Sequence, residues 1–529
     1  MMKAIATEQM VRLPDGISLY TVVMLPQKRG QFPVILQRNP YVTKEVDLES
    51  MLTDACPCLR DGYAVVCQHA RGCGRSEGDF IPYENERADG LALLQWLRQQ
   101  PFSNGEVYLS GASYLSSVHL SYLNTAPPEV RGALLAVQDC VRYNILFRNG
   151  FFKTGLHGPW FARMYKQNSL TRKNFCPDSF RMLPLSAFSR AAFGESVPSF
   201  DEPLLHPDQD DPYWSTPAAG GDYLDAVRRS RIPLLLITAF HDIYTEGVIE
   251  MWNSLPVEQR KRSALIITPY EHNTSYAPSM PVQFPRGGLK EVWPDYATNW
   301  FNHLRRGDAL HFGELGKVTY YTMWENRWHS APMLPQGKTP LTFFLNDHTL
   351  DLKPGPAGEI QYLYNPYAPA TFPGGCCLNF DGMRAQPPPD SRYDIVSFLS
   401  RPMPKRVVFN GDGRVQLLVR TDCEDTCFYV RLSVVKAGVA YGLRDDITAV
   451  SREHPDYRPG TAVALHFRFT PCSFLLEKGD QLRLDVSSSC APHFSAHTNR
   501  KGLQYIQTTA QVAHNTLLLA QSELTLFAD

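Results

Sequence analysis

The chain has 529 residues, of which 43% are hydrophobic and 20% charged, and its formal net charge is −1. This length and composition predict about three domains with a sizeable buried core. The near-neutral charge argues against nucleic acid as a partner, and the sequence has no run of about 18 apolar residues that would span a membrane. Charged residues among the first 25 positions argue against a signal peptide, so we expect a cytoplasmic protein.

Short apolar strands alternate with helix-like segments in two parts of the chain. Such alternation predicts one mostly parallel sheet with helices on both faces. A helix is predicted over 86–99, and strands are predicted at 33–37, 63–67, 107–110, 234–237 and 265–267.

Residues 142–231 interrupt this pattern with aromatic-rich, proline-punctuated sequence that lacks a strong β signal. An insertion between two halves of one sheet usually forms a lid over the site. We therefore predict a mostly helical cap, whose aromatic residues at 151–152 and 160–161 either line an acyl pocket or form the cap's own core.

From about Gly316 the pattern becomes all-β. Val463, Leu465 and Phe467 alternate with small or polar residues, and the alternation returns at 482–486 after a turn. This is typical of a sandwich of antiparallel strands. The predicted division is an α/β domain in two parts, 1–141 and 232–310, a cap at 142–231 and a β-sandwich at 311–529.

The most informative motif is Gly111-Ala112-Ser113-Tyr114, which follows a predicted strand and opens a helix. A serine at such a sharp turn exposes its hydroxyl at the edge of the sheet, near the positive end of the helix dipole. Leu115 occupies the last glycine position of the G-x-S-x-G pattern, so the motif alone is only suggestive.

A nucleophilic serine needs a base and an orienting carboxylate. Asp242 and His272 each follow a predicted strand, in the order Ser, Asp, His that α/β-hydrolases use. Asp139 and Asp211 are alternative acids, but neither follows a clear sheet strand beyond the nucleophile. Other histidines near the strands or the closing helix are weaker candidates for the base, namely His241, His303 and His311.

Further motifs run in order along the chain. With the residues above they are Leu13-Pro-Asp-Gly-Ile-Ser-Leu19, Arg38-Asn-Pro-Tyr41, Arg71-Gly-Cys-Gly-Arg-Ser-Glu-Gly78, 96–97, 101–105, Gly111-Ala-Ser-Tyr114, Asp242, His272, Glu325-Asn-Arg-Trp328, 486–489 and 492–494. Taken together, these stretches resemble the serine hydrolases of the cocaine-esterase type, which are related to X-prolyl dipeptidyl peptidases and α-amino acid ester hydrolases.

The resemblance implies an α/β-hydrolase domain with a helical cap and a C-terminal jelly-roll. It implies Ser113, Asp242 and His272 as the catalytic triad, with the Tyr41 phenol and the Tyr114 backbone N–H as oxyanion donors. We expect no cofactor, and the twelve cysteines lack the paired spacing of a zinc site. Departures from the family are Ser116 and Thr268 in place of glycines and Ala239-Phe240 in place of a glycine-bearing segment.

The resemblance also bears on the acyl group. The α-amino acid ester hydrolases bind the substrate ammonium with carboxylates, whereas here Tyr244 and Thr245 follow Asp242, and Arg142 falls where another carboxylate is expected. A cation at that position would repel an ammonium. We therefore expect a neutral or anionic acyl group.

The leading hypothesis is a serine hydrolase that cleaves an ester or amide of a small-molecule acyl substrate through an acyl-enzyme. The alternatives are an X-prolyl dipeptidyl peptidase, an acyltransferase or cyclase acting on a biosynthetic intermediate, and a binding protein on a decayed hydrolase fold. The sequence does not determine the oligomeric state, and a homodimer stays open.

Overall fold

The structure is a computed structural model that describes residues 4–27, 29–165, 181–216, 223–276, 280–376, 382–389 and 391–529. Helices of the first half are α1 (Leu48–Arg60), α2 (Glu86–Arg98), α3 (Tyr114–Leu120), α4 (Arg142–Leu146), α5 (Thr154–Met164), α6 (Phe188–Phe193), α7 (Pro198–Asp201) and α8 (Tyr223–Arg229). They are followed by α9 (Thr245–Ser254), α10 (Val257–Arg260), α11 (Leu289–Val292), α12 (Tyr296–Arg306) and α13 (Val450–Glu453).

The first twelve strands build the N-terminal α/β region and a small hairpin. They are β1 (Ile5–Arg12), β2 (Ser18–Leu25), β3 (Phe32–Asn39), β4 (Ala64–His69), β5 (Ser103–Ala112), β6 (Val130–Ala136), β7 (Phe147–Arg148), β8 (Phe151–Phe152), β9 (Leu234–Ala239), β10 (Ala264–Thr268), β11 (Val318–Thr322) and β12 (Arg327–Ala331). The strands β7 and β8 pair only with each other, and the other ten form one sheet in the order β1-β2-β4-β3-β5-β6-β9-β10-β11-β12.

The centre of this sheet, from β4 through β11, is parallel. Its strands are covered on both faces, because successive side chains of a strand point to opposite sides. On β3, Val34 and Leu36 join the core that contains α2, α3 and α9, whereas Ile35 joins the core that contains α1 and α12. The predicted α/β-hydrolase fold class is confirmed.

The sheet continues beyond the predicted domain boundary at 310/311. Strand β11 is buried along its whole length and pairs in parallel with β10, and β12 completes the edge in antiparallel register. The all-β pattern after Gly316 therefore starts with two strands that belong to the first sheet. The predicted boundaries themselves stay predictions.

The C-terminal region is β-rich, as predicted. Its strands are β13 (Thr339–Leu345), β14 (Thr349–Asp351), β15 (Glu359–Tyr364), β16 (Val396–Ser400), β17 (Val407–Gly411), β18 (Arg414–Thr421), β19 (Cys427–Lys436), β20 (Val439–Ala449), β21 (Val463–Arg468), β22 (Cys472–Leu476), β23 (Gln481–Ser487) and β24 (Ala513–Ala528). Nearly all of their pairings are antiparallel, except β14 with β16.

The segment predicted as a cap contains α4 to α8 among its described residues, together with the β7–β8 hairpin that the sequence pattern did not indicate. Its aromatic residues pack mainly on one another: Phe147, Phe152, Phe161 and Phe200 share one buried cluster. Phe152 and Phe161, which were predicted either to line an acyl pocket or to form the core of the cap, are part of that core.

Candidate active site

Ser113 lies at the turn between β5 and α3, in a conformation that non-glycine residues rarely adopt, with φ of 56° and ψ of −130°. Such backbone strain is typical of functional sites and persists only where the surrounding structure holds it. Here the Ser113 N–H donates to the carbonyl of Ala136 at 2.9 Å, and the Ser113 carbonyl accepts from the N–H of Ser116 at 2.8 Å. The serine is thereby fixed at the carboxyl edge of the parallel sheet.

The chain's departure from the family glycine at Ser116 has a structural role. The buried Ser116 hydroxyl lies 2.8 Å from the carbonyl of Gly111 and accepts the Ala136 N–H at 3.0 Å, so it joins the ends of β5 and β6. Gly111, in contrast, cannot be replaced without a clash, since a Cβ there would lie 2.3 Å from the carbonyl oxygen of Leu115. The tight turn therefore requires glycine at 111 and accepts serine at 116.

Asp242 and His272 meet at the same edge of the sheet. Asp242 follows β9, His272 follows β10, and the two strands are neighbours in the sheet. The His272 Nδ1 atom lies 2.8 Å from Oδ1 of Asp242, and the other carboxylate oxygen accepts from the Thr238 hydroxyl at 3.2 Å. Because Asp242 is only 1% exposed, its carboxylate is held in one orientation with its partners around it.

Tyr41 follows β3, the strand beside β5, so it comes to the same edge as Ser113. Its hydroxyl accepts from the indole N–H of Trp160 at 3.1 Å. Burial of the hydroxyl raises the pKa of Tyr41, although 37% of the residue is exposed, and hydrogen bonds with Trp160, the Ser113 side chain and the Tyr114 backbone oppose the rise. Tyr41 is thus a neutral phenol in contact with both Ser113 and Tyr114.

The Tyr114 side chain holds the start of α3 through two hydrogen bonds of its hydroxyl. Its hydroxyl donates to Oε1 of Glu86 at 3.0 Å and accepts the N–H of Tyr83 at 2.7 Å. Glu86 in turn accepts from the guanidinium of Arg38 at 3.0 Å, and neither of these two side chains is more than 5% exposed. The buried Arg38–Glu86 ion pair therefore holds Tyr114, the residue that follows Ser113 in the chain.

Three tyrosines interact electrostatically with one another, namely Tyr41, Tyr83 and Tyr244, and of these Tyr41 also interacts with Ser113. The Tyr244 ring packs on the imidazole of His272 with centroids 5.8 Å apart. Burial raises the pKa of Tyr83 to about 12, so its phenol is neutral near pH 7. The guanidinium of Arg142 stacks over the Tyr83 ring at 3.8 Å, and one of its nitrogens, Nη1, is buried without a hydrogen-bond partner among the described residues.

The alternative acids from the sequence have other partners. The Asp139 carboxylate accepts the N–H of Val141 at 2.8 Å and packs against the backbone of Gly247, and burial raises its pKa to about 7. Asp211 lies in the cap segment, 2.9 Å from His206.

The alternative histidines are also engaged away from Asp242. His241 is buried with Nδ1 3.1 Å from the carbonyl of Pro269, and burial lowers its pKa to about 3. His303 contacts the carbonyl of Asp308 at 2.7 Å, and His311 pairs with Asp295 at 2.6 Å.

A separate group in the C-terminal region brings ligand-type atoms together. Asp445, Cys490 and His493 have atoms within 4.8 Å of one another. The buried Arg431 guanidinium donates to the same Asp445 carboxylate at 2.9 Å. Its positive charge would repel a metal cation bound beside it. This group therefore fits an ion-pair network better than a metal site.

Comparison with known proteins identifies the family. The sequence profile described as X-Pro dipeptidyl-peptidase (S15 family) matches residues 15–274, and that of the X-Pro dipeptidyl-peptidase C-terminal non-catalytic domain matches residues 311–523. The chain belongs to this family. It is a serine hydrolase of the S15 type, acting on ester or amide bonds, and the resemblance drawn from the motifs is confirmed.

Similar proteins cover nearly the whole chain. Cocaine esterase of Rhodococcus sp. (strain MB1 Bresler) is 25% identical over 94% of this chain and 93% of that protein. An aminopeptidase from a marine sediment Thaumarchaeota archaeon has the same fold with a TM-score of 0.86 and 17% identity, covering 100% and 97% of the two chains. An α-amino acid ester hydrolase follows with a TM-score of 0.84 and 19% identity over 100% and 97%.

Among the described residues of this S15 hydrolase, no helix is long and apolar enough to cross a membrane. The cytoplasmic location stays a prediction.

Several contacts at the site have no signal in the sequence. The sequence pattern does not mark Glu86 or Thr238 as site residues, and Trp160 is one of several aromatic residues in the predicted cap. Glu86 begins the predicted helix over 86–99, and the sequence does not show that its carboxylate is buried against Arg38.

Proposed function

We propose that the chain is a serine esterase or amidase that works through an acyl-enzyme. Ser113 attacks the acyl carbonyl, His272 takes its proton and passes it to the leaving group, and Asp242 holds the imidazole in the productive tautomer. Water then releases the acyl group. The observation that carries this proposal is the 2.8 Å contact of His272 with buried Asp242 on the sheet edge where Ser113 has its strained backbone.

The oxyanion hole proposed here consists of the Tyr41 phenol and the Tyr114 N–H. Two observations support it: the Tyr41 hydroxyl interacts with both Ser113 and the Tyr114 backbone, and Glu86 anchors the Tyr114 side chain. A neutral phenol suits the role because it donates to developing negative charge without a proton change. Loss of one such donor typically slows turnover about 10²–10³-fold.

We propose a neutral or anionic acyl group as the preferred substrate class. Arg142 supports this, since it stacks on Tyr83, which interacts with the Tyr41 phenol, and its Nη1 is buried without a hydrogen-bond partner in the described part of the chain. The nearby carboxylate of Glu246 is paired with Arg148 at 2.5 Å and is therefore a poor site for a substrate ammonium. An α-amino acyl group would meet the Arg142 cation, while Glu246 is already paired with Arg148.

The decisive experiment is a panel of p-nitrophenyl esters, aryl amides and X-Pro amides, with α-amino and desamino acyl groups in matched pairs. Wild-type protein should hydrolyse desamino esters faster than their α-amino partners, and Ser113→Ala should lose activity on every substrate. Labelling by a fluorophosphonate that disappears in Ser113→Ala checks the nucleophile independently. Full activity of Ser113→Ala would refute the proposal, and product mass spectrometry separates hydrolysis from acyl transfer.

A further inference from the structure

Trp160 connects the cap segment to the proposed oxyanion hole. It lies on α5, and its indole N–H donates to the Tyr41 hydroxyl at 3.1 Å. The indole ring lies beside the Tyr114 ring, with centroids 5.6 Å apart, and meets the His157 ring edge-on at 5.9 Å. Because rings on two sides fix the indole plane, the direction of its N–H is fixed as well.

This hydrogen bond decides what the Tyr41 hydroxyl can do. An indole nitrogen only donates, whereas a phenol has one hydrogen to donate and lone pairs that accept. When Trp160 occupies a lone pair of the Tyr41 oxygen, the phenol hydrogen is left for another acceptor. On the substrate side, that acceptor is the oxygen of the carbonyl that Ser113 attacks.

We infer that Trp160 is a positioning residue, which holds the Tyr41 hydroxyl in place and oriented as a donor to the oxyanion. The inference rests on the proposed oxyanion role of Tyr41. It makes α5 of the cap segment a part of the catalytic arrangement, although the indole itself need not touch the reacting atoms.

A second residue of α5 acts on the same phenol. The guanidinium of Arg163 lies 5.9 Å from the centroid of the Tyr41 ring. Its charge, like the Trp160 N–H, opposes the rise in the pKa of Tyr41 that burial causes. Two side chains three positions apart on one helix thus make the phenol a stronger donor, because a phenol donates more strongly when its oxygen carries less electron density.

The test is a double-mutant cycle with Trp160→Phe, Tyr41→Phe and both together, assayed on one p-nitrophenyl ester. Phenylalanine keeps an aromatic ring at 160 but lacks the N–H. We expect Trp160→Phe to lower kcat about threefold to tenfold, the effect of one neutral hydrogen bond, with little change in KM. In the Tyr41→Phe background the same change should have almost no effect on kcat, because its target is gone.

Trp214→Phe is the matched control. Trp214 also lies in the cap segment and donates its N–H, but to the backbone carbonyls of His206 and Asp208, so its loss should leave kcat unchanged. A trifluoromethyl ketone adds an independent measurement, since its adduct with the serine carries the oxyanion. Trp160→Phe should weaken inhibition by this ketone by the same factor as it lowers kcat/KM.

Two results would overturn the inference in distinguishable ways. If Tyr41→Phe keeps the wild-type kcat, the oxyanion role of Tyr41 fails and the inference fails with it. If Tyr41→Phe is slow and Trp160→Phe slows it further by the same factor as in wild type, Trp160 acts by some route other than Tyr41. Should Trp160→Phe not fold, 3-benzothienylalanine at position 160 keeps the bicyclic shape and removes only the N–H.

Discussion

Replacing Asp242 with asparagine should slow turnover about 10⁴-fold, which corresponds to about 5 kcal/mol of transition-state stabilisation. The structure gives the reason. One carboxylate oxygen contacts His272 at 2.8 Å and the other accepts from Thr238 at 3.2 Å. If the amide oxygen keeps the contact with Thr238, the amide N–H₂ faces Nδ1 of His272. The imidazole must then carry its hydrogen on Nε2 and cannot accept the proton of Ser113.

The charge matters as well as the tautomer. Asp242 is almost fully buried, so its carboxylate stabilises the imidazolium that forms during attack more strongly than a solvated group would. The assay is steady-state hydrolysis of a p-nitrophenyl ester, with kcat and KM determined separately. We expect the loss mainly in kcat, since the carboxylate contacts the base and not the substrate.

Two other aspartates serve as comparisons. Asp211→Asn alters an acid of the cap segment that pairs with His206, and it should retain wild-type kcat. Asp139→Asn alters the buried acid that follows β6 and interacts electrostatically with Asp242. A loss of less than tenfold in Asp242→Asn, together with a large loss in Asp139→Asn, would refute the assignment of the triad acid.

Further predictions concern the oxyanion hole, the acyl site and two buried acids. Tyr41→Phe should lower kcat about 10²–10³-fold in the ester assay with near-normal folding by circular dichroism, and wild-type turnover would contradict the assignment. Arg142→Gln should lower the ratio of kcat/KM for an anionic ester to kcat/KM for an α-amino ester by about tenfold. An unchanged ratio would show that Arg142 does not interact with the acyl group. Glu86→Ala should destabilise the protein by about 1–3 kcal/mol, because the buried Arg38 guanidinium loses its closer carboxylate at 3.0 Å and keeps Asp89 at 3.5 Å. Glu86→Gln should cost less, and equal thermal shifts would contradict this. Burial raises the pKa of Asp139 from 3.8 to about 7, so folded protein keeps a proton that unfolded chain releases, and stability should fall as pH rises through that window. The asparagine of Asp139→Asn would not titrate. The melting temperature of Asp139→Asn minus that of wild type should therefore increase as pH rises from 5 to 8.

Much of the fold could be predicted from the sequence because its strands are short, apolar and separated by helices. The strand predicted at 234–237 is β9 and the one at 265–267 is β10, each extended by one or two residues. Since parallel strands end at a common edge, the residues that follow them were expected to converge, and Asp242 and His272 do lie in contact.

Contacts between distant segments could not be predicted in the same way. Trp160 and Tyr41 are 119 positions apart, and the cap sequence has no regular period that would tell which aromatic residue turns towards the sheet. The β11 and β12 strands look like the start of the β-rich region, because strand composition does not record which sheet a strand joins. Ser116 departs from the family pattern in sequence, yet its hydroxyl forms hydrogen bonds that a glycine could not form.

Arg148 has a consequence for engineering this enzyme. Its guanidinium joins Glu246 on α9, which follows Asp242, to Asp446 on β20 of the C-terminal region, at 2.5 and 2.8 Å. A shortened catalytic fragment without residues 311–523 would keep Arg148 and lose one of its two carboxylates beside the helix that follows the triad acid. Heat resistance of the activity is therefore a property of the whole chain, and substitutions on β20 that keep Asp446 are rational starting points for improving it.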